Sequence, residues 1–114
     1  DTLSLHDALP ISCLDGLDTP PEPHDLVVCG DVMEHVEPDL VRNVLKEIRR
    51  LTVMRAFFVI SLHPAQKVLA DGRNAHVSLY THPKWKALLL GAGFHVVQES
   101  DMDKEQADAW FICE

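Results

Sequence analysis

Two tracts hold most of the side chains able to do chemistry: Cys29-Gly30-Asp31-Val32-Met33-Glu34-His35, and the longer stretch from Leu69 to Trp85. In the second, His76 is the best-placed general base, because an imidazole titrates near neutrality. Arg73 suits a carboxylate or phosphate, which would let an acidic protein hold an anionic acceptor. Asn74 and Trp85 complete a candidate substrate-binding set, although Trp85 serves a core equally well. Asp71-Gly72-Arg73-Asn74 also reads as a plain polar turn. In the first tract, Glu34-His35 reads as an acid/base or metal pair, but neighbours on a helix point in different directions, which argues against one ion between them. His24, His63, His76, His82 and His95 lack ligand spacing, so no metal site is expected. Asp31 and Glu34 also read as caps of the helix that follows. No Ser-His-Asp or Cys-His nucleophile constellation is legible.

Bulk properties narrow the class. A chain of 114 residues supports one small domain. Its formal charge of −8 disfavours nucleic acid and anionic membrane as main partners. No apolar run approaches membrane-spanning length. Cys13, Cys29 and Cys113 are too few and too dispersed for a disulfide framework or a zinc knuckle, which points to a reduced, cytoplasmic setting.

Positioning these tracts requires an alternation of strands and helices. Residues 15–24 are rich in Pro, Asp and Gly and read as a loop. Asp25–Cys29 and Arg55–Leu62 are apolar without alternation, as parallel strands covered on both faces are. Between them, Glu37–Leu51 carries Leu40, Val41, Val44, Leu45, Ile48 and Leu51 on one helical stripe. Strand, crossover helix, strand predicts a right-handed parallel βαβ unit. His63–Tyr80 is longer than a connection needs, a mark of functional loops. A second helix is expected from a Thr81 N-cap to Gly91 or Gly93. Strands at Phe94–Gln98 and Ala109–Cys113 then close an antiparallel hairpin across an acidic loop. The expected class is α/β, a doubly wound sheet.

The run Asp25-Leu26-Val27-Val28, then Asp31-Val32-Met33-Glu34-His35-Val36 and Pro38, resembles the segment around the fourth strand of class I S-adenosylmethionine-dependent methyltransferases. The order downstream and the junction "LLLGAGFHVVQE" fit the same family, and the resemblance covers about Asp15 to Cys113. It implies a Rossmann-like sheet with central strands in the family order fourth, fifth, seventh, sixth. It also implies S-adenosyl-L-methionine as cofactor, touching Cys29, Gly30, Asp31, Val32 and Met33, and a small-molecule acceptor. The family's Gly-rich loop after its first strand has no counterpart before Asp25, and only Asp15 or Asp18 could match a weaker upstream acidic position. The expectation is therefore the carboxyl-terminal part of a methyltransferase domain, spanning residues 13–114 and inactive alone, with the edge of "DLVVC" exposed. Two other classes stay open: a different Rossmann-type nucleotide-binding enzyme, and a non-catalytic methyltransferase-like interaction module.

The opening residues read weakly as an amphipathic helix ended by Pro10. Read back into codons, Thr2–Ile11 resembles a translated short-read sequencing adapter, ACT CTT TCC CTA CAC GAC GCT CTT CCG ATC. Residues 1–12 are accordingly expected to be non-native, with biological sequence beginning near Cys13.

Overall fold

Thr2–His6 is a β-strand (β1), not a helix. Leu3 and Leu5 alternate with Thr2 and Ser4, a period of two that sends both leucines to the core side of a sheet. The computed structural model describes residues 1–6, 22–102 and 107–114. Pro10, Cys13 and most of the 15–24 stretch read as a loop lie outside those residues, as does the middle of the acidic loop.

Strand β1 lies parallel to β2 (His24–Gly30), pairing Thr2 with Leu26 through to His6 with Gly30. The expectation of an exposed "DLVVC" edge is thereby corrected: its backbone donors and acceptors are paired on both sides. Strand β2 is followed by two single 3-10 turns, Met33–His35 and Pro38–Leu40, and then by α1 (Val41–Leu51). Pro38 takes the first position of the second turn, where no backbone N–H is needed. Strand β3 (Thr52–Ser61) returns parallel to β2, completing the βαβ unit. After the long loop come α2 (His82–Gly91), β4 (Val96–Glu99) and β5 (Asp108–Cys113), with β5 antiparallel to both β3 and β4. The sheet order is β1-β2-β3-β5-β4, so β2-β3-β5-β4 reproduces the sequence fourth, fifth, seventh, sixth.

One face of this sheet is fully covered. Val27, Cys29, Ala56, Phe58, Ile60, Phe111 and Cys113 are buried beneath Val44, Leu45 and Ile48 of α1 and Trp85 and Leu89 of α2. Phe58 and Phe94 meet edge to face at 5.4 Å. On the opposite face Leu26, Val28, Phe57, Val59, Trp110 and Ile112 are only half-buried. Apolarity on both sides of β2 and β3 thus meets a helix layer on one side only among the described residues, where the sequence pattern predicts cover on both.

Helix α2 shows how locally the ends are set. Thr81 caps it by accepting from the Lys84 backbone N–H at 3.4 Å, and Gly93, at φ 100°, supplies the left-handed residue that ends it. His82 at its start reaches Glu99 of β4 at 2.9 Å, and Lys86 reaches the other oxygen at 2.8 Å. Burial raises the Glu99 pKa, but the hydrogen bonds from Lys86 and His82 outweigh it and leave the carboxyl below its ordinary 4.5.

A depressed carboxyl contributes stability above its unfolded pKa and loses it as pH falls through the folded one. Glu99→Gln is expected to lower stability by about 0.5–1 kcal/mol at neutral pH. The gap between variant and parent closes on acidification below 4.5, as urea melts across that window would show.

Candidate functional site

Ligands of open α/β sheets lie beyond the carboxyl ends of the parallel strands, and here those ends are His6, Gly30 and Ser61. The chain leaves β2 through Asp31 in the left-handed region, at φ 56°. Asp tolerates that conformation better than most residues. Its N–H donates to the Val59 carbonyl at 2.9 Å, which extends the β2–β3 pairing by one residue. A Cβ built on Gly30 meets nothing within 4 Å, so the turn faces open space. Asp31 is exposed, whereas Val32, Met33 and Cys29 are buried and form the wall behind it. Burial also pushes the Cys29 thiol pKa far up, so this cysteine is a small hydrophobe rather than a nucleophile.

Glu34 follows inside the 3-10 turn and is 1% exposed. No side-chain hydrogen bond caps either 3-10 turn or α1, so Asp31 and Glu34 do not act as caps there. One Glu34 oxygen, Oε2, is buried without a partner among the described residues. Burial pushes its pKa up to about 7, against the pull of backbone N–H groups and of His76.

The loop His63–Tyr80 is sewn onto this turn. The Ser78 N–H donates to the Glu34 carbonyl at 3.1 Å, and the Ser78 hydroxyl donates to the Val36 carbonyl. His35 Nδ1 donates to the Ala75 carbonyl at 3.1 Å. Arg73 forms a two-pronged pair with Glu37, both contacts 2.8 Å, and a third contact with Asp71 at 2.8 Å. These bonds hold the Glu37 and Asp71 carboxyls below their usual range. Asn74 Oδ1 accepts from the backbone N–H groups of Ala65 and His76, and its Nδ2 donates to the Ala65 carbonyl. His76 Nδ1 donates to the His63 carbonyl. A carbonyl only accepts, so both imidazoles carry their proton on Nδ1 and keep a free lone pair on Nε2.

The candidate residues therefore separate. Gly30, Asp31 and His76 stand where a ligand can reach them. Arg73 and Asn74 brace the loop, their polar atoms committed to Glu37, Asp71, Ala65 and His76. Trp85 is fully buried, edge-on to Tyr80 at 5.1 Å, and is a core residue in place of the substrate contact read from the sequence. The reading that Glu34 and His35 diverge does not hold either. One nitrogen from each of His35 and His76 and a Glu34 carboxylate oxygen all lie within 4.8 Å of one another. Glu34 and His35 sit in a single 3-10 turn, and His76 arrives from a loop 41 residues on to lie beside both. Only the histidine in a loop beyond a strand end hinted at that meeting.

Three solved structures share this architecture. A DhpI–SAH complex superposes with a TM-score of 0.64 at 16% identity, covering 84% of this chain and 49% of that one. The mitomycin 7-O-methyltransferase MmcR gives 0.60 at 16% identity, covering 84% and 31%. The Burkholderia thailandensis 1,6-didemethyltoxoflavin-N1-methyltransferase, with bound 1,6-didemethyltoxoflavin and S-adenosylhomocysteine, gives 0.56 at 24% identity, covering 88% and 47%. No family model matches the chain, and no curated protein matches it in sequence. The fold is that of class I S-adenosylmethionine-dependent methyltransferases, and the chain spans half or less of the length of these three relatives.

Asn74→Ala removes three hydrogen bonds from the loop at once. It is expected to cost about 1–3 kcal/mol in chemical denaturation. Unchanged stability would mean that Ser78 and the Arg73–Glu37 pair hold the loop without it.

Proposed function

We propose that this chain is the carboxyl-terminal part of a cytoplasmic S-adenosylmethionine-dependent methyltransferase that acts on a small molecule and is inactive by itself. The observation that carries the reading is the open turn Gly30–Asp31 at the end of a parallel strand, facing a loop that presents a free imidazole nitrogen. When bound, the cofactor supplies a methyl group already activated on a sulfonium, so the protein has only to orient, exclude water and handle a proton.

The residues present fit part of that cofactor. Gly30 leaves room for close approach, Asp31 offers an exposed carboxylate, and Val32 and Met33 form the apolar wall behind them. Across the sheet, β1 is followed by Asp7-Ala8-Leu9, and no glycine occurs before Gly16. The chain thus offers one wall of a cofactor site. On the acceptor side, His76 Nε2 is free to take the proton of an attacking hydroxyl or amine as the new bond to the methyl carbon forms. Arg73 remains a brace, since an anionic acceptor would first have to displace Glu37. The mitomycin and toxoflavin enzymes named above favour a small-molecule acceptor over nucleic acid, as does the net charge of −8.

The half-covered sheet face favours one second reading, a non-catalytic module of the same fold. Titration with S-adenosylhomocysteine separates the two. The expected result is weak binding, with amide NMR shifts confined to Gly30–Met33 and Ser61–Leu62 and no measurable calorimetric heat at micromolar ligand. Tight stoichiometric binding would overturn the partial-site reading, and shifts absent from Gly30–Met33 at saturating ligand would leave the module.

A further inference from the structure

The Glu34–His35–His76 cluster serves no packing purpose that cheaper residues would not serve better. A carboxylate 1% exposed with an orphaned oxygen is costly, because a buried polar atom without a partner forfeits its hydration. The two imidazoles beside it are tilted 83° to one another with ring centroids 4.8 Å apart, so they do not stack. Each commits Nδ1 to a backbone carbonyl, Ala75 for His35 and His63 for His76. That arrangement fixes the tautomer and orientation and leaves Nε2 as a ligand, as in most metal-binding histidines, whose other ring nitrogen donates to a carbonyl or carboxylate.

We propose that Glu34, His35 and His76 form a binding site for a divalent first-row transition metal ion, with zinc as the best match. Two histidines and one carboxylate make up a three-ligand set that leaves a position open for water or substrate. Glu34 closes the site from the buried side, while His35 is exposed and His76 half-buried, so the open position faces solvent. The three ligand atoms lie within 4.8 Å of one another. A tetrahedral ion with metal–ligand distances of about 2.1 Å sets its ligand atoms about 3.4 Å apart, so binding draws the three groups together by up to about 1.4 Å. The ion would give the buried Glu34 carboxylate a charged partner. One consequence rests on the methyltransferase reading: an acceptor oxygen taking the open position would lose its proton more readily, and His76 would then hold the ion instead of the proton.

Cobalt(II) and zinc(II) titrations of the full, metal-free chain test the site without reference to catalysis. The expected result is one cobalt per chain with visible d–d bands of a low-coordinate nitrogen/oxygen site, displaced by one equivalent of zinc, and a melting temperature raised by zinc. His35→Ala and His76→Ala, both at least partly exposed positions, are each expected to weaken binding by at least tenfold while circular dichroism stays unchanged. Glu34→Gln is expected to do the same where it folds. The proposal is overturned if the parent chain gives no bands and no zinc-dependent shift in melting. It is equally overturned if both histidine variants bind like the parent, or if a thiolate charge-transfer band places the metal on cysteine. Because S-adenosylhomocysteine plays no part in these titrations, their outcome is separate from that of the cofactor experiment.

Discussion

The site depends on the seam between the turn after β2 and the loop after β3. Ser78 supplies two of its stitches, to Glu34 and Val36, and is itself fully buried, so neither bond competes with water. His35 adds one hydrogen bond and Arg73 a two-pronged pair, from opposite sides of the seam. The Arg73–Glu37 pair is exposed, and pairs of that kind add little free energy. Its role is geometric: two parallel N–H to oxygen contacts fix the height at which the loop crosses the turn. Without the seam, His76 would sit on an unrestrained loop of 18 residues. With it, an imidazole distant in sequence is held against a carboxylate at a strand end.

The seam is also why the fold was more legible than the site. Periodicity is a local signal, and α1, β3 and β5 follow from it: the stripe Val41, Val44, Leu45, Ile48 and Leu51 is buried as read, and the apolar runs became the central strands. Boundaries moved where chemistry outside the pattern decides them. The first turn of the expected helix, Pro38–Leu40, is 3-10, and β3 begins at Thr52, where Thr52 Oγ1 donates to the Ile48 carbonyl and turns the chain directly into the sheet. Thr2–His6 was misread because four alternating residues satisfy a weak helical pattern equally well; what decides for a strand is the free edge of β2, which no local window contains.

The site residues were harder because their roles are set by partners distant in sequence. Arg73 looks like an anion receptor until Glu37 is placed beside it. Trp85 looks like a pocket wall until Tyr80 and the β3–β5 core enclose it. Asn74 carries no signal for its actual task, which is to hold Ala65 and His76 at a fixed spacing. The strand pattern, by contrast, predicted more cover than the described residues supply. Leu26, Val28, Phe57, Val59, Trp110 and Ile112 form a contiguous half-buried sheet face. A βαβ sheet with helices on both faces would enclose it, and the three solved structures named above are at least twice as long as the aligned stretch.

Two departures from low-energy structure meet in four residues. Asp31 holds a backbone conformation that costs a non-glycine residue roughly 1–2 kcal/mol. Glu34 buries a carboxylate whose desolvation an apolar side chain would not incur. Either alone is ordinary. Folding stability accounts for neither, since glycine at 31 and an apolar side chain at 34 would both favour the native state. Natural structures break local rules of this kind mainly where a site demands it. The left-handed step at Asp31 turns the chain sharply enough to drop Glu34 under the strand end, and the seam then brings His76 over it. Strain, burial and imidazole converge on one point at the mouth of the β2–β3 pair, where a sheet of this topology binds its ligands.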